Sequence, residues 1–300
     1  MEIMIQQLVN GLFLGSIYAL MALGYTMVYG IIGLINFAHG DIYMIGSFVG
    51  YFLINLFNTW KVLPNAWGFF IALAVSMVVC AILGVVIEFL AYRPLRKSER
   101  ITALITAIGV SYLLQNLMIY FFSADSRPFP QSILRKSYSL GFINVSNVQL
   151  LILLVSVTLM ILLQLIIKTT KMGKAMRAVS VDSDAAQLMG INVNRTISFT
   201  FALGSAMAAA GGVLIGLYYN SIDPMMGFTP GIKSFVAAVL GGIGSIPGAA
   251  LGGFAIGMVE TLATALGFSD FKDALVYIVL IIILLAKPAG ILGKNIKEKV

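Results

Sequence analysis

Charge is what this chain has least of. Of its 300 residues only 12 are Asp or Glu and 19 are Lys or Arg, and 60% are hydrophobic. A water-facing surface needs far more polar material, so a soluble globular enzyme or binding domain is excluded. Cysteine is nearly absent. Cys80 stands alone inside an apolar run, so no internal disulfide can form, and it reads as a packing residue. The single histidine, His39, has no Cys or carboxylate cluster near it and makes a poor metal site. No segment matches G-x-x-x-x-G-K-[ST], because Gly173-Lys174 and Gly293-Lys294 lack both the spacing and the following hydroxyl. No hydrolytic triad or paired-carboxylate arrangement is assembled either. Catalysis is therefore not expected on this chain, nor is a cofactor or metal. No basic region precedes the first apolar run, so no removable signal peptide is expected.

Long apolar runs fill the space instead. The mean hydropathy is +0.99, and spans fall at about 7–35, 42–57, 68–92, 101–122, 148–167, 197–219, 232–246, 248–267 and 274–290. These runs are continuous rather than alternating, which predicts an all-α, polytopic helical membrane protein and not a β-barrel. The expected number of crossings is about eight or nine. The seventh span is short and interrupted by Gly241, Gly242, Gly244 and Pro247, so it is read as a short or broken helix. Aromatic residues near span ends, such as Trp60, Trp67 and Tyr219, fit interfacial anchoring.

The basic residues orient the chain. The loops at 93–100 and 168–195 and the C-terminal tail hold four, five and four of the 19 Lys and Arg, leaving Lys61, Arg127, Arg135, Lys136, Lys233 and Lys272 for the other side. The positive-inside rule then makes the first group cytoplasmic, including the C-terminus. For the loop and the tail to share a side, the seventh segment has to cross. The same parity puts the N-terminus outside. A net charge of +7 thus records loop placement and does not imply nucleic-acid binding.

Four polar residues lie in or beside spans and are candidates for a translocation path: Asn36, His39, Asp41 and Glu260. In the turn NFAHGD, a proton relay around His39 competes with a plainer reading. On the plainer reading Asn36 and Asp41 cap helix ends, Asp41 as N-cap of the second span, and His39 sits in an interfacial turn. Glu260 falls at about the middle of the eighth span, where an ionisable group is costly unless paired or wet. Function and hydrogen-bonded packing remain equally open for it. Glu88, near the end of the third span, is expected to reach Arg93 or Arg96. Small residues recur at every fourth position (Gly11, Gly15, Ala19; Gly204, Ala208, Gly212, Gly216; Ala249, Gly253, Gly257), the pattern of close helix packing.

The polar interruption at 168–196 is the remaining feature. Residues 174–181 are helix-permissive, Asp182 or Ser183 can cap a second turn, and Gly190 stops it. With Val179, Leu188 and Met189 exposed, the segment either lies on anionic lipid or docks in a groove on a soluble partner.

The run from Gly173 to Ile191, GKAMRAVSVDSDAAQLMGI, resembles the cytoplasmic loop of ABC importer permeases, in which an acidic-Ala-Ala triplet is followed three residues later by Gly. The stretches GSIYALMALGYTMVYGIIGLINFAHGD and VAAVLGGIGSIPGAALGG resemble the branched-chain amino acid subfamily of the LivH type. The resemblance covers essentially the whole chain. Asp184 stands where the triplet usually has Glu, and the Leu-Pro of many other importers is missing. The resemblance implies one permease domain over 1–300 with a coupling loop at 168–196, in which Gly173, Arg177, Asp184, Ala185, Ala186 and Gly190 serve the ATPase contact. It implies a second permease subunit, two cytoplasmic ATPase subunits that carry ATP and Mg, and an extracytoplasmic substrate-binding protein. Alternating access in a bacterial inner membrane is the expected mechanism, for branched-chain amino acids, with urea, short amides or sugars as alternatives. An ion-coupled carrier using His39, Asp41 and Glu260 is the competing class.

Overall fold

The computed structural model describes residues 2–60, 65–96, 98–131, 133–141 and 143–293. Lys61, Lys97, Lys294, Lys297 and Lys299, used above for orientation, lie outside the described residues. Within them run α1 (Glu2–Ile32), α2 (His39–Trp60), α3 (Asn65–Ile87), α4 (Arg100–Phe122), α5 (Asn147–Thr169), α6 (Lys171–Val181), α7 (Ser183–Leu188), α8 (Val193–Tyr219), α9 (Phe228–Gly241), α10 (Ile246–Ala265) and α11 (Lys272–Ala286). A π-helical turn, Glu88–Tyr92, continues α3. Each expected span meets a helix, and seven helices are long and apolar enough to cross a membrane. The other two, α9 and α11, have 14 and 15 residues. At 1.5 Å per residue they reach only about 21–23 Å of a hydrocarbon core of about 30 Å.

Helices α1 and α8 form the centre and are buried over most of their apolar stretch, whereas little of α4 and α5 is fully buried. Small residues allow the central contacts. A Cβ on Gly15 would stand 2.7 Å from the Cα of Phe254, and Gly253 lies directly against Ala19. Backbones meet there because no side chain separates them.

The two ends of the bundle differ. On one, β1 (Arg127–Pro128) pairs antiparallel with β4 (Ser221–Ile222), and β2 (Ser137–Leu140) pairs with β3 (Ile143–Ser146). The start of α1 belongs to this end, since the Gln6 amide donates to the Asn144 carbonyl at 2.9 Å. On the other end, Arg96 donates to Asn194 at 2.6 Å, tying the loop after α3 to the start of α8 beside α6 and α7. Residues 291 and 292 bond the carbonyls of Leu240 and Gly241, at the end of α9. Gln6 and residues 291–292 therefore lie at opposite ends of the bundle.

The expected cap role of Asp41 is not found. Helix α2 begins at His39, two residues earlier, and Asp41 lies buried in its first turn. Residues 33–38 do not stop at the membrane boundary but fold back along α1. His39 Nε2 lies 3.2 Å from the carbonyl of Met21, eleven residues before the end of α1, or about 16 Å of helix. Gly24 admits the imidazole, because any Cβ there would occupy its place. The expected interfacial turn is thus a break at mid-depth. Helix α9 starts at the same depth: Gly227 and Gly40 touch backbone to backbone, and a Cβ on Gly231 would stand 3.1 Å from the Gly40 Cα.

Candidate functional site

Three polar constellations result. The first is the paired break where α2 and α9 begin. Asn36 accepts from the Tyr92 hydroxyl at 3.0 Å, and His39 stacks edge-on against Tyr25 at 4.5 Å between ring centres. Both are buried, so neither caps a helix end at the surface, and the Asn36 amide nitrogen has no partner. Asp41 is also only half satisfied. One carboxylate oxygen accepts from the Gln115 side-chain amide at 2.8 Å, and the other is buried with no partner. It borders a cavity of about 270 Å³ lined also by Phe37, Ile108, Ser111, Gly227 and Phe235.

The second constellation surrounds Glu260. Its carboxylate accepts from the Tyr18 hydroxyl at 2.8 Å and pairs with Lys233 at 2.8 Å, with Lys272 at 3.5 Å. Lys233 also reaches Asp273 at 2.6 Å, so one buried ammonium joins α9, α10 and α11. The sequence places Lys233 at the outer start of the seventh span, and the pair with Glu260 is not visible there. Helix α9 begins four residues before the expected span, which carries Lys233 into the packed region. Glu260 is remote from the Asp41 cavity, whose lining excludes it. The four path candidates therefore do not form one site.

The third constellation occupies the end that carries α6 and α7. Glu88 is buried and accepts from Arg93 at 2.9 Å, from Arg96 and from Ser198 at 2.6 Å. Burial lowers the Arg96 guanidinium from its usual value, and Glu88 opposes that shift. Thr170 caps α6 by accepting from the Gly173 amide. Gly173 itself lies against the Ile167 backbone, and Arg177 donates to the Ile167 carbonyl. These two residues thus fix α6 to the end of α5. Asp182 caps α7, accepting from the amides of Asp184 and Ala185 at 2.9 Å each. Helix α7 stops in a Schellman motif: Gly190 donates to Gln187, Ile191 donates to Ala186, and Gly190 has φ +84°.

Asp184, Ala185 and Gly190 are exposed, while Ala186 is buried under α7. The expectation that Val179 is exposed is not met. Gly173, Met176 and Val179 recur every third residue on the buried face of α6, whereas Leu188 and Met189 are exposed as expected, and so is Val181, all at 83–89%. No group of three or more His, Cys, Asp or Glu suited to a metal occurs among the described residues.

A bundle of apolar helices with broken starts and an exposed helical loop defines a polytopic helical membrane protein. The chain belongs to the family described as branched-chain amino acid transport system permease component, whose pattern it matches over residues 7–284. It is 44% identical over 302 residues to the high-affinity branched-chain amino acid transport system permease protein BraD of Pseudomonas aeruginosa, covering 99% of this chain and 98% of that one. Identity to LivH of Escherichia coli K12 is also 44%, covering 99% and 97%. A probable LivH of Methanocaldococcus jannaschii is 30% identical, covering 94% and 90%. No solved structure matches the chain.

Proposed function

We propose that this chain is the membrane-spanning subunit of an ATP-driven importer for branched-chain amino acids, working by alternating access. The observation that carries the reading is the near-complete coverage of the BraD and LivH relatives together with the exposed α7. A second permease subunit, two cytoplasmic ATPases holding ATP and Mg, and an extracytoplasmic binding protein complete the assembly. The end bearing Arg93, Arg96, Lys168, Lys171, Lys174, Arg177 and Arg195 is cytoplasmic, because basic loops stay inside. The membrane is a bacterial inner membrane, and the C-terminus is on the cytoplasmic side.

Leu188 and Met189 present an apolar tip that enters a groove on the ATPase. ATP-driven closure of the ATPase pair displaces α7. Helix α6, tied to α5 by Gly173 and Arg177, passes the displacement to the bundle as a rigid-body motion. An ion-coupled carrier is less well supported, because Glu260 is neutralised by Lys233 and His39 is locked against Met21.

The test is co-purification in mild detergent of ATPase subunits with wild type and with Leu188→Asp/Met189→Asp. Both residues are exposed, so the fold is retained. Loss of the ATPase only in the variant supports the reading, and equal recovery contradicts it.

A further inference from the structure

We propose that the cavity between the starts of α2 and α9 is a transit site for a zwitterionic α-amino acid with an apolar side chain, its ammonium group held by Asp41. The inference rests on the importer reading and specifies where in this chain the cargo pauses.

Asp41 is 2% exposed, and only one of its carboxylate oxygens has a donor, the Gln115 amide at 2.8 Å. The other oxygen makes no hydrogen bond, with the Ser111 hydroxyl beside the carboxylate as the one further donor in the lining, and buried polar atoms are rarely left unpaired. An ionised carboxylate only accepts hydrogen bonds, so the missing group is a donor, and an ammonium supplies both protons and charge. The cavity beside it, about 270 Å³, lies below the range of about 300–1,000 Å³ typical for drug-sized ligands. A single small molecule fits that space.

The opposite end of the cargo has a counterpart too. The first turns of α2 and α9 both border the cavity, through Gly40 and Asp41 and through Gly227 and Phe228. Each helix start carries roughly half a positive charge, and the start of α9 has no side-chain cap. Gly227 packs against the Gly40 carbonyl, so the α-carboxylate faces the start of α9 from the cavity side, where the helix dipole meets its charge. Phe37, Ile108 and Phe235 provide the apolar wall for the side chain. Broken helices at mid-depth bring these groups to one cavity, where each charge of the zwitterion meets a partner of opposite sign.

The experiment uses the assembled transporter in nanodiscs without its binding protein, and measures equilibrium binding of radiolabelled leucine. Wild type is expected to bind saturably. Unlabelled valine and isoleucine compete, whereas isocaproate, which lacks the ammonium, and isoamylamine, which lacks the carboxylate, do not. Asp41→Asn lowers affinity by about tenfold or more, the worth of a hydrogen bond to a charged group. Ile108→Trp keeps Asp41 but fills the cavity from its partly exposed side and also abolishes binding, so the outcome does not depend on one variant folding. Three results each overturn the site: no saturable binding by wild type, affinities of both variants within about twofold of wild type, or competition by isocaproate equal to that by leucine. ATP-driven leucine uptake by the same wild-type preparation, with binding protein added, separates the two levels. Uptake without binding removes only this site, and absence of uptake removes the importer reading.

Discussion

Replacing Lys233 by Met tests the buried ion pair that joins three helices. Lys233 is 2% exposed and Glu260 4%, so the substitution strands a carboxylate in the bundle. Breaking one side of a buried pair costs about 3–5 kcal/mol. Two partners remain for Glu260, the Tyr18 hydroxyl at 2.8 Å and the half-exposed Lys272 at 3.5 Å, which places the loss near the lower end, about 3 kcal/mol. Removing the charge as well, in Lys233→Met/Glu260→Gln, leaves no buried uncompensated carboxylate, since Asp273 is part-exposed, and recovers part of that loss. A coupling energy of at least about 1 kcal/mol is expected between the two sites. Cys80 is the only cysteine and is fully buried, so unfolding in denaturing detergent can be followed by its reaction with a fluorogenic thiol reagent. The reasoning is refuted if Lys233→Met lies within about 0.5 kcal/mol of wild type, or if the single substitutions add within that margin.

Other outcomes follow from the same contacts. Asp182→Ala removes the cap of α7 at a cost of about 1 kcal/mol, and weaker ATPase recovery with unchanged whole-protein stability is expected in the pull-down. Gly190→Ala retains the open space around the residue but strains its φ of +84°, a penalty of about 1 kcal/mol; ATPase affinity measured by titration falls modestly, whereas Gly190→Asn is better tolerated. Gly15→Leu drives a side chain into the Phe254 backbone and separates α1 from α10, so the protein is expected to lose Cys80 protection even without denaturant.

Much of the architecture was legible in sequence because long apolar runs have one stable solution in lipid. All nine spans were placed, and the short seventh was recognised from its Gly and Pro. The capping of α7 by Asp182 and its stop at Gly190 were readable because local chemistry determines them. Depth was not readable. The turn NFAHGD has the same composition whether it rests at the interface or folds back to mid-membrane, and what sets its depth is the fit of His39 against Gly24 and of the turn's own Gly40 against Gly227, contacts made between separate stretches of sequence. Lys233 was misplaced for the same reason, since its partner lies on the next helix and only packing brings them together. Val179 was misassigned because α6 starts at Lys171 rather than three residues later; the spacing Gly173, Met176, Val179 already contained the correct face.

The central claim, that this chain moves branched-chain amino acids by ATP-driven conformational change, is tested most directly by uptake into proteoliposomes containing the full set of partner subunits. Leucine accumulation should require ATP at the ATPase side and persist when ion gradients are collapsed. Uptake that survives ATP depletion and disappears with the ion gradient would contradict the account.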